Sequence, residues 1–256
     1  MNKTLQNYIQ RTLGLAIAAM FLTLAGVARA EDNVPVVISG VVSNNGGLDF
    51  YVGNTGTNNT LTISGGGVLT NVANGYVGFG AGASNNFATV TGPGSTWNNS
   101  GQLVVGDFGS GNTLTIADTG SVINAYGYIG GNVGVNGNSV IVTGGGSWTN
   151  NQLSVGSYGS GNSLTITNGG RVVVVDLSVI GFGFSSSNNA VIVSGTGSVW
   201  NVGALNVGYD GSSNTLTIAN GGAVRVGANL NISARSGTSN NVVNISGGQL
   251  TVTNGT

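Results

Sequence analysis

The chain has 256 residues, 48 of them Gly and only 2 Pro, with 5% charged residues and neither Cys nor His. The missing His and Cys exclude Ser-His-Asp and Cys-His nucleophilic systems and ordinary zinc sites, and leave no disulfides to staple the fold. Apolar residues alternate with Thr, Ser and Asn, which is a strand pattern, so the sparse charge does not mean disorder.

In chain order, Lys3 and Arg11 make a basic start, Leu13 to Val27 an apolar run, and Ala28-Arg29-Ala30 a small-x-small cleavage site. The apolar run is about 15 residues, short of the ~20 that span a bilayer, and polar Glu31-Asp32-Asn33 follow at once. Residues 1–30 therefore read as a secretory signal peptide with cleavage after Ala30. Its removal takes away Lys3, Arg11 and Arg29, leaving three arginines against seven carboxylates, a net charge of −4. Such a chain has no basic patch for phosphates, which argues against nucleic acid as a partner.

Residues 31–47 read as an N-terminal cap or a partial first coil, and 48–256 as one repeat domain. The repeat is carried by Asn59-Thr60-Leu61-Thr62-Ile63, by its close copies led by Asn112, Asn162 and Asn214, and by weaker relatives led by Asn86, Asn138, Asn189 and Asn241. These asparagines recur every 24 to 27 residues. A period of that length marks a stacked repeat protein.

Each unit continues through a Gly-rich turn into a second short strand, such as Gly120 to Ile123 or Gly170 to Val173. A third strand then closes at Gly53, Gly78, Gly106, Gly130, Gly156, Gly181 or Gly208, with Ser233 in that place in the last copy. Expected third strands include Leu48 to Val52, Leu177 to Ile180 and Tyr126 to Ile129, the last interrupted by Gly127. Three short strands per unit predict an all-β fold, a single-stranded parallel β-helix (solenoid) of about eight to nine coils. Alternation turns Leu61/Ile63 and their counterparts inward and Thr60/Thr62 outward. The recurrent Asn suits a left-handed turn position and can pair with its copies above and below, as in an Asn ladder. Glycine supplies positive φ at the corners. Eight rungs stacked at about 4.8 Å give a rod on the order of 40 Å long.

A second period lies over the first. Trp97, Trp148 and Trp200 follow Gly-x-Gly-Ser in alternate units, 51 and 52 residues apart, so the genetic repeat is a pair of coils. The fourth pair carries Gly247-Gly248-Gln249-Leu250 and no Trp.

Gly-Asn-Thr-Leu-Thr-Ile, Gly-Gly-x-Val, Asn-x-Val-x-Val and Gly-x-Gly-Ser-x-Trp together resemble the repeat associated with type V secretion autotransporters and PEP-CTERM surface proteins. The resemblance covers about residues 48 to 256. It implies a β-helical passenger or surface-exposed region, exported through the inner membrane. The sequence to Thr256 carries neither an amphipathic barrel-forming tail nor a Pro-Glu-Pro sorting segment, so an outer membrane is expected as a partner only through an anchor outside it.

A search for chemistry finds no catalytic, cofactor-binding or metal-ligating set. Asp107 and Asp210 lie four coils apart, roughly 19 Å at the cross-β spacing, whereas paired glycosidase carboxyls need about 5 to 9.5 Å. The Gly109-Ser110-Gly111-Asn112 turns lack the repeated Asp of calcium-binding solenoids. A Thr array like that of ice-binding β-helices is interrupted by Phe87, Ile141 and Ile192. Aromatics recur soon after the closing Gly, at Phe79, Phe108, Tyr158, Phe182 and Tyr209. Corner packing accounts for them as a group, while Phe108, Tyr158 and Tyr209 are the candidates for stacking on glycans.

The expectation is an exported, non-enzymatic rod without cofactor, at the cell surface or extracellular, with a structural or adhesive task. Surface glycans or other cell-surface components would be its partners. A carbohydrate-binding module using the aromatic stripe is the alternative, and a polysaccharide-acting β-helix enzyme ranks below it. Fold alone does not choose between them.

Overall fold

Val-, Ile-, Leu- and Thr-rich segments of three to five residues alternate apolar with polar and are bounded by Gly and Asn, so each is a short strand with one buried face. The computed structural model describes residues 30–31 and 33–253, and in that range every regular element is a strand. All but the last residue of the expected signal peptide lies outside the described residues.

Coil 1 holds β1 (Val36–Ser39), β2 (Val42–Asn44) and β3 (Phe50–Val52); coil 2 holds β4 (Thr60–Ser64), β5 (Val68–Val72) and β6 (Gly75–Val77). Coil 3 holds β7 (Phe87–Thr91), β8 (Thr96–Asn99) and β9 (Gln102–Val105). Coil 4 holds β10 (Thr113–Ala117), β11 (Ser121–Ile123) and β12 (Tyr126–Ile129). Coil 5 holds β13 (Ser139–Val142), β14 (Ser147–Asn150) and β15 (Gln152–Val155). Coil 6 has β16 (Ser163–Thr167) and β17 (Arg171–Ile180), and coil 7 has β18 (Ala190–Ser194) and β19 (Val199–Val207). Coil 8 holds β20 (Thr215–Ala219), β21 (Ala223–Val226) and β22 (Leu230–Ile232), and β23 (Val242–Ser246) and β24 (Gln249–Val252) begin a ninth.

The first strands stack as a nine-stranded sheet from β1 to β23, and the second and third strands share a fifteen-stranded sheet. All paired strands are parallel, from β1 on β4 to β20 on β23. This is the expected parallel β-solenoid, and residues 36–52 belong to it as its first coil. Below that coil, Ala30 is buried against Val52; its N–H donates to Tyr51 O at 3.1 Å, and Gly53 N–H donates to Ala30 O at 2.9 Å.

Three details differ from the sequence reading. The third strand of coil 1 begins at Phe50, not Leu48, because residues 45–49 make a turn in which Asn45 Nδ2 donates to Leu48 O at 2.6 Å. In coils 6 and 7 the second and third strands run together as β17 and β19. Val172 to Val175 offers no Gly to break the strand, and a bulge between Val174 and Leu177 takes up the corner. The third difference concerns the recurrent Asn. The residue before it takes the left-handed conformation, from Asn58 and Asn85 through Gly111 and Gly161 to Asn240, at φ between 55° and 70°.

Freed from the turn, the asparagine side chains point inward and form one continuous ladder. Each Oδ1 accepts both the backbone N–H and the Nδ2–H of the Asn one coil earlier, at 2.8–3.2 Å, from Asn59 through Asn86, Asn112, Asn138, Asn162, Asn189 and Asn214 to Asn241. The first seven are fully buried. Buried amides need partners, and the period supplies them. A Cβ on the closing Gly106 would lie 2.3 Å from Asn138, and Gly106 has φ 76°, so only glycine fits. Ser233 stands at the last closing position, also at positive φ, and its Oγ accepts from Asn241 Nδ2 at 3.1 Å. There the hydroxyl takes the acceptor role that the next Asn has in every earlier coil.

The core is one continuous apolar stack (Leu61, Ile63, Leu114, Ile116, Leu164, Ile166 and their counterparts), together with the three Trp. It opens at the last coil, where Ile245 is 53% exposed.

The tryptophans explain a glycine that the sequence reading took as a break. Gly127 lies within β12, and a Cβ there would meet Trp148 Cζ2 at 2.9 Å; Gly75 stands in the same relation to Trp97 at 2.8 Å. Down the third strands this position reads Phe50, Gly75, Leu103, Gly127, Leu153, Ser178, Leu205, Leu230. A small residue lies in the coil before each Trp coil. Where Leu250 replaces the Trp, Leu230 replaces the small residue.

Candidate ligand groove

The third strands carry the most varied outer face of the rod. Their outward position reads Tyr51, Tyr76, Val104, Tyr128, Ser154, Val179, Asn206, Asn231 in register. The corner that follows each closing glycine overhangs this face and brings its aromatics against it.

On coils 1 and 2 the aromatics fill the space themselves. Tyr51 and Tyr76 stack at 5.2 Å, and Phe79 meets both edge-on at 5.1 and 4.8 Å. Gln102 Nε2 donates to Tyr76 Oη at 2.8 Å, and burial pushes that phenol's pKa up. This is corner packing.

Coils 4 to 6 are different. Ser154 stands between Tyr128 and Val179, and its small side chain leaves a groove of about 310 Å³. Tyr128, Gln152, Tyr158, Leu177, Val179 and Phe182 line it around Leu153, Ser154 and Ser157. Ser154 is 8% exposed, and its Oγ is buried with no hydrogen-bond partner. Tyr158 is 44% exposed and meets Phe182 edge-on at 5.9 Å. Burial pushes the Tyr128 phenol up, so it is a protonated donor at neutral pH.

The three expected glycan-stacking residues are not brought together. Tyr158 lines the groove. Tyr209 stacks on the far side of Phe182 at 5.4 Å, where the Arg235 guanidinium covers its ring at 4.5 Å and hydrogen-bonds its hydroxyl. Asp210 adds an ion pair to Arg235 at 3.7 Å. Phe108 is 52% exposed on coil 3 and lies outside the groove. Tyr128, Gln152 and Ser154 were missed as site residues. Their sequence signal is faint: Tyr128 and Ser154 both stand two residues before a closing Gly, and only register shows that the second leaves a gap beside the first.

The carboxylates are dispersed, and three of them are engaged by neighbouring coils. Asp49 Oδ1 accepts from Asn74 Nδ2 at 2.8 Å, Asp107 Oδ1 from Asn132 Nδ2 at 2.8 Å, and Asp118 Oδ2 from Thr91 Oγ1 at 3.0 Å. Among the described residues no three acidic side chains gather to hold a metal ion. The outer Thr columns are interrupted as the sequence indicates, since Phe87 sits between Thr60 and Thr113, and Ile141 between Thr115 and Thr165.

Comparison of the chain with family models, with curated proteins and with solved structures finds no match.

Proposed function

We propose that the chain is the rod of an exported surface protein, with a structural or adhesive task and no catalysis of its own. The observation that carries this reading is the Asn ladder. It ties eight successive coils through amides of which the first seven are fully buried, so the repeat is held to a geometry that gives length and stiffness. Dispersed carboxylates and the absence of His and Cys leave little for an active centre to use. The resemblance to autotransporter and PEP-CTERM-associated repeats supports display at a cell surface, with export through the signal at residues 1–30.

The test is the intact mass and location of the native protein, measured in the medium, the membrane fraction and the cytoplasm. A mass matching Glu31 to Thr256 in the medium, or a larger processed form held in the membrane fraction, supports the reading. Unprocessed protein confined to the cytoplasm sinks it. The same mass reports whether Ala30, which lies buried against Val52, is kept or removed.

A further inference from the structure

We propose that the groove beside Ser154 binds one ring of a neutral glycan. The inference relies on the rod reading only for where such a ligand is met, because binding itself is a property of the isolated chain.

Four observations lead to this ligand. The groove, at about 310 Å³, falls at the small end of ligand sites, enough for one sugar ring with the rest of the chain running outside. No charged side chain lines it, so neither a carboxylated nor a cationic ligand finds a counter-charge there. Its walls include three aromatic rings, Tyr128, Tyr158 and Phe182. An aromatic ring with a polar tip suits a ligand that has one apolar C–H face and a rim of hydroxyls. The fourth observation is the Ser154 Oγ itself, buried in the lining without a partner. An orphaned buried hydroxyl is costly; the oxygen lies beneath the groove surface, and a turn about the Ser154 Cα–Cβ bond brings it to a ligand hydroxyl that can both donate to it and accept from it. Gln152 and the Tyr128 phenol add donors at the same groove.

The same face on coils 1 and 2 shows what a self-filled version looks like. There Tyr51, Tyr76 and Phe79 occupy one another's faces and leave no room. At Ser154 the corresponding outward side chain is withdrawn while Tyr128 before it is kept.

The experiment titrates the purified protein with neutral gluco-, galacto- and manno-configured tetrasaccharides, following tyrosine and tryptophan fluorescence and calorimetry. A uronate-containing tetrasaccharide and a Leu/Phe-rich peptide are run beside them. At least one neutral tetrasaccharide should bind, with the uronate analogue at least tenfold weaker. Ser154→Val fills the groove with the residue type that Val104 and Val179 already place at this position, so the fold should tolerate it. It should reduce affinity tenfold or more, as should Tyr158→Ala, while Phe108→Ala leaves affinity unchanged. No binding by any neutral glycan, preference for the uronate or the peptide, or full affinity in both Ser154→Val and Tyr158→Ala would overturn the proposal. None of these outcomes touches the rod reading, which the mass and location measurement decides separately.

Discussion

The first-strand face of the rod, nine strands long, and the third-strand face, eight strands long, obey opposite rules. On the first face coils 2 to 9 repeat one solution: an Asn at the start, two apolar residues inward, and a ladder that passes through without a skip. On the third face the outward position changes from Tyr to Val to Ser to Asn within eight coils. The difference follows from what each side chain must fit. A buried amide has to match the coil before it and the coil after it, so no copy can drift alone. An outward side chain on the third face has only the overhanging corner and its immediate neighbours to fit, so copies diverge, and a groove can arise where a small residue follows a large one.

The ladder should therefore be the most fragile part of the molecule. Asn138→Ala removes the Oδ1 that accepts from both Asn112 N–H and Asn112 Nδ2–H. Two buried donors are left without partners, each worth about 1–3 kcal/mol, so urea unfolding should show a loss of about 3–5 kcal/mol. Gly106→Ala should be severe as well, because its Cβ meets Asn138 at 2.3 Å and its φ is 76°. The double variant sharpens the test, since removing the Asn138 side chain makes room for the new Cβ. Its loss should be clearly less than the sum of the two single losses. Strict additivity would mean that the two residues are not coupled. On the third face, Val179→Thr buries a hydroxyl at a position only 5% exposed but touches no ladder, and should cost about 1 kcal/mol, less than either single ladder variant.

A second coupling links the Trp coils to their neighbours. Trp148→Leu should cost about 2–3 kcal/mol, since a large buried side chain leaves a cavity, and Asn124 Oδ1 loses the indole donor at 2.8 Å. Gly127→Leu alone should be comparably damaging, because the new side chain runs into Trp148, Asn150 and Leu153. Together they recreate the Leu230/Leu250 arrangement of the last two coils. Thermal melts should place the double variant above at least the worse single variant; a midpoint below both would refute the pairing.

Much of this was legible in the sequence. The Asn period showed the coil, and alternation around Leu114 and Ile116 separated inside from outside, because both are properties of a local window repeated many times. The pairing of Gly127 with Trp148 was not legible. Those residues are 21 positions apart in different coils, and a glycine inside a strand reads locally as a defect. The groove was still less legible. It depends on Ser154 lying beside Tyr128 in register and on the corner at Tyr158 folding over them, and neither is a property of any one stretch. Spacing from the closing glycine grouped Phe108, Tyr158 and Tyr209 together. It could not show that Arg235 would cover Tyr209.

The smallest expected effect lies on the outer corner of coil 3 and is read through pH. Burial raises the Asp107 pKa above its ordinary value of 3.8, partly offset by the hydrogen bond from Asn132. A raised pKa in the folded state means that the protonated form is the one favoured by folding. That contribution is fully present below the unfolded value and is lost as pH rises through the folded one. At neutral pH the ionised side chain therefore weighs against the fold. Asp107→Asn removes the charge while keeping an oxygen that can accept from Asn132 Nδ2. Its thermal midpoint should exceed that of the parent slightly at pH 7, by the equivalent of about 0.5 kcal/mol or less, and the gap should close as pH falls below 3.8. A gap that persists at low pH would assign the effect to packing, and a lower midpoint at pH 7 would mean that the Asn132 hydrogen bond outweighs burial.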